Sequence, residues 1–196
     1  MKTILTALLL MVFYPSPSNA QSLTPISISL GGGPTSFQQQ RYFEHWKSAY
    51  NVGLGFDYDL SNSWAIGADF TFNHATYEPY FYNKLLNADH PTYGPDLTMW
   101  TCSATATFLI LSRDSFIHPY ISVGCGLFSQ IPGEIDRSQG PSPSLEVVEE
   151  MTRIDLEAGL GAEVRVHKSV AAFVNAQMIY APIIFIPFTV GVRIGL

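Results

Sequence analysis

Eight charged residues lie on one face of segments whose other face is apolar, at the every-second-residue spacing of a β-strand. They are Asp57, Asp69, Arg153, Asp155, Glu157, Glu163, Arg165 and Arg193. Such a set can fill an enclosed interior as a polar plug of ion pairs, or it can line a narrow gated conduit. Because buried ions cost several kcal/mol each unless they are paired, we predict a plug in which each arginine lies among several carboxylates.

Histidines with neighbouring carboxylates are the other candidates for chemistry. His45 follows Glu44, His90 follows Asp89, and His74 lies between these two pairs in the sequence. They lack the fixed spacing of known metal sites, so we predict solvent-exposed loop histidines. We predict no metal, cofactor or catalytic residue in the chain. The net charge of −6 and the lack of a basic patch also argue against nucleic-acid binding.

The first twenty residues are predicted to be a secretory signal peptide. Lys2 gives a short positive start, residues 4–14 are almost wholly apolar, and Ser18-Asn19-Ala20 supplies small residues for cleavage. The apolar run is shorter than the roughly 20 residues that a membrane-spanning helix needs. We therefore expect cleavage after Ala20 and a single mature domain over residues 21–196.

The mature region is poor in charge but has no long apolar run. Charged residues make up 13% of the chain, against roughly 25% in soluble globular proteins. Apolar residues instead alternate with polar or small ones over Tyr50–Leu60, Trp64–Phe72, Met99–Leu111, Ile117–Phe128, Thr152–Val166, Val170–Tyr180 and Ile186–Leu196. With Ile26, Ile28 and Leu30, this pattern predicts eight strands that are apolar on one face and polar on the other.

The connections between these strands alternate in length. They are long at about 31–48, 80–96 and 131–150, short at 61–63, 112–115 and 167–169, and moderate at 181–184. Transmembrane barrels have short periplasmic turns and longer extracellular loops. A soluble lipocalin-like barrel would carry its apolar residues inside. The interior of an eight-stranded barrel could not hold the aromatic side chains that lie on the apolar faces of these strands. The sequence therefore predicts an all-β, eight-stranded antiparallel up-and-down transmembrane β-barrel.

Two segments resemble a known family. Ile117–Gly126 (IHPYISVGCG) resembles the Pro-Tyr…Gly-x-Gly strand of OmpA-like outer-membrane β-barrel domains, and Phe188–Leu196 (FTVGVRIGL) resembles their closing strand. The resemblance covers residues 21–196. It implies a bacterial outer-membrane location, contact with outer-membrane lipids, and recognition by the barrel-assembly machinery through Phe188, Val190, Val192, Ile194 and Leu196. The family usually ends in an aromatic residue, whereas this chain ends in Leu196.

A catalytic alternative comes from His167-Lys168-Ser169, which is similar to the His-x-Ser of outer-membrane lipid A deacylases. A catalytic serine needs a histidine within hydrogen-bond reach and a carboxylate that orients the histidine. This segment falls in a short turn on the predicted periplasmic side, whereas the lipid A substrate of that family lies in the outer leaflet. We therefore predict an ordinary polar turn.

The long connections are the predicted place for contacts with other molecules. The first two are rich in aromatic residues, and the third, Gln130 to Glu150, is acidic and rich in Pro and Ser. We expect a structural barrel that displays these loops, with adhesion or contact with an extracellular partner as their use. The alternatives are a narrow transport barrel for small or hydrophobic solutes and a lipid-modifying enzyme.

Cys102 and Cys125 fall on the apolar face of adjacent predicted strands. If Arg113 and Asp114 form a two-residue hairpin loop, the numbers of opposed residues sum to 227 and the two cysteines face each other. An oxidising envelope would permit a disulfide between them. A longer turn shifts the sum by two and offsets the two cysteines diagonally. The alternative to a disulfide is two free, lipid-facing thiols that behave as small hydrophobic groups.

Overall fold

A computed structural model describes residues 25–38, 46–77, 94–111, 115–133, 149–167 and 169–196. These residues form eight strands: β1 (Ile26–Phe37), β2 (Trp46–Asp59), β3 (Trp64–Tyr77), β4 (Leu97–Leu109), β5 (Ile117–Pro132), β6 (Met151–His167), β7 (Val170–Tyr180) and β8 (Ile184–Gly195). Each strand pairs with its neighbours in sequence, and β8 pairs with β1 to close the sheet. Among the described residues, no helix is long and apolar enough to cross a bilayer. The predicted fold is confirmed.

The two ends of the barrel differ in the connections that leave them. Residues 60–63, 110–116 and 168–169 connect strands at one end, which we call the turn end and which also holds Ile26 and Gly195. Residues 38–45, 78–96, 133–150 and 181–183 connect strands at the other end, which we call the loop end. Several strands run further toward the loop end than the sequence pattern predicted. The predicted signal peptide lies outside the described residues.

Burial alternates along the strands, as a closed barrel with an apolar outer wall requires. In β4, for example, Thr101, Ser103 and Thr105 are buried, whereas Cys102 and Ala104 between them are exposed. The exposed large apolar side chains lie on the outward face of the strands all around the sheet. Because the side-chain period of a strand is two, this face assignment followed directly from the sequence.

The strands are staggered, so each row of hydrogen-bonded neighbours climbs along the barrel axis. One such row starts at Arg165 on β6, passes once around the barrel and returns to β6 at Asp155, ten residues earlier in the strand (165 minus 155). The residues that it passes are Ala171, Arg193, Ser29, Gly55, Asp69, Ser103 and Gly126. Strand number and stagger together set the tilt and width of a barrel. Eight strands leave an interior that side chains can fill.

Large inward side chains pack against inward glycines of neighbouring strands. A methyl group at Gly191 would lie 2.6 Å from the Phe173 ring, and one at Gly31 would lie 3.1 Å from it. At Gly161, a methyl group would lie 2.6 Å from the carbonyl oxygen of Val174 and would overlap the Tyr120 ring. These glycines therefore supply the volume that the aromatic rings occupy inside a narrow barrel.

The pairing of β4 with β5 differs from the predicted register. Opposed residue numbers sum to 229, so Cys102 faces Leu127 and Cys125 faces Ala104. The prediction that Cys102 faces Cys125 is wrong, because β4 ends at Leu109 and β5 begins at Ile117, a connection longer than a two-residue hairpin loop. Both cysteines are exposed on the outer wall, and in this structure their thiols are free.

The register predicts which thiol pair can form a disulfide. Opposed Cα atoms in an antiparallel pair are about 4.5–5.5 Å apart, within the range of a disulfide. A Cys102→Ser, Ala104→Cys double variant should therefore form a bond between Cys125 and the new thiol under mild oxidation. The unchanged protein should show two free thiols when it is denatured without reductant and titrated. A bond in the unchanged protein, or none in the variant, would contradict this register.

Candidate functional site: the barrel interior

A buried ion-pair cluster joins three strands near the turn end. Arg193 on β8 places Nη2 3.2 Å from Asp57 Oδ2 and Nη1 2.6 Å from Glu163 Oε2. All three side chains are mostly buried. The Arg193 guanidinium also lies 6.0 Å from the centroid of the Phe173 ring, within cation–π range. One arginine therefore ties β2, β6 and β8 together across the interior.

A small polar cavity of about 60 Å³ adjoins this cluster. A cavity needs a volume of roughly 10–15 Å³ to hold one water molecule, so this cavity has room for a few waters. It is lined by the ion pair of Asp57 with Arg193 and by polar side chains that include Asp69, Asn175 and Gln177. Buried waters typically satisfy polar groups of this kind. The cavity is too small for an organic solute.

A second polar cluster lies further toward the loop end. Glu157 accepts hydrogen bonds from Ser103 Oγ at 2.7 Å and from Gln177 Nε2 at 2.5 Å. Asp155, two residues nearer the loop end on the same face, is fully buried. Hydrogen bonds to a buried carboxylate are stronger than those between neutral groups. This cluster connects β4, β6 and β7.

An apolar cluster, which we call the stopper, fills the interior at the loop end. Its buried members are Trp46, Ala75, Tyr77, Leu97, Met99, Phe128, Ile179, Ala181, Ile183 and Phe185. The rings of Phe128 and Phe185 lie 5.8 Å apart, and those of Trp46 and Tyr77 lie 5.4 Å apart, edge to face. Trp46 Nε1 donates to the carbonyl oxygen of Pro95 at 2.9 Å. The interior is therefore charged near the turn end and apolar at the loop end.

The predicted charge network forms only in part. Asp57, Glu163 and Arg193 are joined, Asp69 lines the cavity, and Glu157 and Asp155 lie deeper in the interior. Arg165 is half-buried near the turn end. The prediction that every arginine lies among carboxylates is wrong for Arg153, which is exposed near the loop end and forms no ion pair with the described residues. Alternation gives the face of a residue but not its depth.

The stopper was missed in the sequence, although the same alternation contains it. Met99 and Leu97 continue the inward face of Thr101, and Phe128 and Ile179 continue the inward faces of β5 and β7. The signal is therefore the change from polar to apolar residues on the inward face toward the long connections. The polar plug predicted from the sequence therefore fills only part of the interior.

The other candidate residues lie outside the interior. His167 and Ser169 are exposed at the β6–β7 turn, and no hydrogen bond joins them in the part of the chain that the structure describes. His74 Nε2 is 3.8 Å from Asp96 Oδ2 and its Nδ1 is 3.4 Å from Thr98 Oγ1. His45, His90 and most loop aromatics lie outside the described residues. Within the described ranges, no cluster of His, Cys, Asp and Glu could hold a metal ion.

Comparison with known proteins gives matches among solved structures only. No protein-family model matches the chain, and no curated protein matches it. Neisserial surface protein A has a TM-score of 0.58 at 13% identity, with 87% of this chain and 96% of that chain covered.

Two proteins of Pseudomonas aeruginosa are also similar. The outer-membrane protein OprG has a TM-score of 0.54 at 11% identity, covering 90% of this chain and 99% of that one. The N-terminal β-barrel domain of OprF has a TM-score of 0.52 at 14% identity, covering 90% and 100%. At these identities, the similarity establishes the eight-stranded barrel fold that this chain shares with small outer-membrane proteins.

Arg193 is buried among carboxylates and Arg153 is exposed, so replacing each by alanine should change the free energy of unfolding by different amounts. Arg193→Ala would remove the cation that Asp57 and Glu163 share, and breaking such a pair typically costs about 3–5 kcal/mol. Arg153→Ala is the matched control and should change the free energy of unfolding by no more than about 0.5 kcal/mol. Urea unfolding of the barrel in lipid vesicles measures both. Equal effects of the two variants would contradict the assigned cluster.

Proposed function

We propose that this chain is an outer-membrane β-barrel protein with a closed interior, and that it holds its long connections on the cell surface for contact with other molecules. The observation that carries the proposal is the reversed polarity of the barrel. Large apolar side chains are exposed all around the outer wall, while charged and polar side chains are buried inside. In water this arrangement would expose far more contiguous apolar surface than soluble monomers tolerate. A lipid bilayer covers it.

Aromatic side chains at two levels of the outer wall support this location. Trp64 lies 5.0 Å from Phe108 near the turn end, and Phe72 lies 4.7 Å from Trp100 toward the loop end. Trp64 and Phe72 are eight residues apart on β3, which is about 26 Å along a strand and about 20 Å along the axis at a tilt of roughly 40°. The rings add to this height, which suits the apolar band of about 25 Å in outer-membrane barrels.

The last strand is consistent with recognition by the barrel-assembly machinery. Phe188, Val190, Val192 and Ile194 are exposed on the outer wall of β8, and Leu196, directly after the strand, is exposed as well. Their shared face supports the proposal that this strand carries the assembly signal. Export through a signal peptide cleaved after Ala20 belongs to the same proposal.

A closed interior favours a structural and display role over transport. The stopper blocks the loop end with apolar side chains, and the ion-pair cluster narrows the turn end. A transported solute would need both to move. His167 and Ser169 are exposed at the turn end and share no hydrogen bond among the described residues, so this segment lacks the arrangement of an acyl hydrolase. The loops remain the surface through which a partner would be bound.

Orientation in the membrane can be tested by surface labelling. An epitope inserted within residues 134–148 should be reached by antibody on intact cells, because the long connections face outward in such barrels. The same epitope within residues 61–63 is the matched control and should be reached only after the outer membrane is permeabilised. The mature protein should begin at Gln21 by N-terminal sequencing. The opposite labelling pattern, or protein released by carbonate, would refute the location.

Closure of the interior can be tested separately. Vesicles containing the refolded protein should show no current steps and no swelling in small sugars. Replacing Phe128 and Phe185 together by Ala removes two rings of the stopper and should raise ion leakage. Phe70→Ala removes a ring from the outer wall of β3 and should leave the vesicles tight. Steady conduction by the unchanged protein would favour the transport alternative.

A further inference from the structure

The seam between β1 and β8, where the barrel closes, has a gap in its hydrogen-bonded ladder. Pairs join these strands from Ser27 to Gly32 and again from Thr35 to Phe37, but none joins Gly33 or Pro34 to β8 in the described strands. Pro34 has no N–H group to donate. On its other side, β8 has no pairs with β7 at Ile186 and Pro187. Strand β8 is therefore weakly held over four consecutive residues near the stopper.

One side chain inside the barrel covers this gap. Asn51 lies on β2 directly opposite Gly33 and is 1% exposed. Its Nδ2 lies 2.9 Å from the carbonyl oxygen of Gly33, 3.1 Å from that of Pro34 and 3.2 Å from that of Phe188. A single amide group therefore contacts carbonyl oxygens on both strands of the seam.

Neighbouring polar groups hold the Asn51 amide in place. Thr189 Oγ1 on β8 donates to Asn51 Oδ1 at 3.0 Å, and Thr35 Oγ1 on β1 donates to Asn73 Oδ1 at 2.9 Å. Asn51 Nδ2 is also 3.3 Å from Thr35 Oγ1. Buried carbonyl oxygens without donors are costly. With two N–H groups, the Asn51 amide can donate at one time to the carbonyl oxygen of Pro34 on β1 and to that of Phe188 on β8.

We propose that Asn51 is the latch of the barrel seam: its amide replaces the missing ladder between β1 and β8, and its release lets the two strands separate locally at Gly33 and Pro34. Asn51 acts as a positioning residue on the two closing strands. The opening lies beside the stopper and faces outward where Pro34 and Phe188 are exposed. The barrel therefore opens first at this point and toward the surrounding bilayer.

Amide hydrogen exchange of the refolded barrel in lipid nanodiscs tests the latch. In the unchanged protein, the amides of Thr35–Phe37 and Phe188–Val190 should exchange through local opening, at rates insensitive to low denaturant concentrations. The amides that pair β4 with β5 should exchange only with global unfolding. If the seam amides also follow global unfolding, no local opening exists and the proposal fails. This measurement needs no variant.

Two variants of Asn51 test the side chain itself. Asn51→Leu removes the donor and the acceptor, and Asn51→Asp keeps the shape but replaces the amide donor by oxygen. Both should speed exchange of the seam amides by at least about tenfold and leave the β4–β5 amides unchanged. Asn175→Leu is the matched control, because Asn175 is an inward asparagine whose Oδ1 has no hydrogen-bond partner among the described residues.

A covalent staple across the seam separates the latch from a general loss of stability. Leu30 and Val192 face each other on the outer wall of β1 and β8. In a Cys102→Ser, Cys125→Ser background, oxidised cysteines at these two positions should return the seam exchange of the Asn51 variants to the unchanged rate. Unchanged seam exchange in both Asn51 variants, faster exchange throughout the barrel, or no rescue by the staple would each overturn the proposal.

Discussion

Closure of the sheet is the constraint on which the rest of this structure depends. Backbone N–H and C=O groups cannot remain unpaired in hydrocarbon, so a strand protein that crosses a bilayer must pair its last strand with its first. Closure at eight strands with a stagger of ten leaves a narrow interior. Every large inward residue must then fit against small inward residues of the nearby strands. The pairing of Phe173 with Gly31 and Gly191 and of Tyr120 with Gly161 follows from this limited width.

The same narrow interior explains why its chemistry changes along the axis. Close to the turn end, Arg193 can satisfy Asp57 and Glu163 at once because the opposite walls are within one side chain's reach. At the loop end, Phe128, Phe185 and their neighbours fill the interior with mostly apolar side chains, and the indole N–H of Trp46 donates to the carbonyl oxygen of Pro95. An ion that passed through would leave the charged cluster for a segment filled mainly by apolar side chains. The closed interior therefore results from two adjacent layers of opposite character.

The sequence predicted the strands and their faces because the period of a strand is fixed, and a shift by one residue would reverse every side chain. Register was less well determined. When the sum of the opposed residue numbers changes by two, every side chain stays on the same face of its strand. Alternation therefore could not distinguish Cys102 opposite Cys125 from Cys102 opposite Leu127. The stopper is present in the same alternation, because the inward faces of β4, β5 and β7 change from polar to apolar residues toward the loop end. The role of Asn51 could not be predicted from the sequence, because it depends on contacts that form only where β1, β2 and β8 come together.

Counting charges on the inward face overestimated the network, and the stagger of the barrel explains why. Arg165, Arg193, Asp69 and Asp155 all lie on one row of hydrogen-bonded neighbours. That row climbs ten residues in one circuit, which is about 33 Å along a strand and about 25 Å along the axis at a tilt of roughly 40°. Charges on the same face of different strands can therefore lie at opposite ends of the interior.

Arg193 meets Glu163 and Asp57 because these three residues lie at the same height along the barrel axis, whereas Arg153 lies near the loop end and is exposed. The excess of carboxylates is spread along the axis, and the hydrogen bonds of Ser103 and Gln177 to Glu157 take the place that a second arginine would have filled.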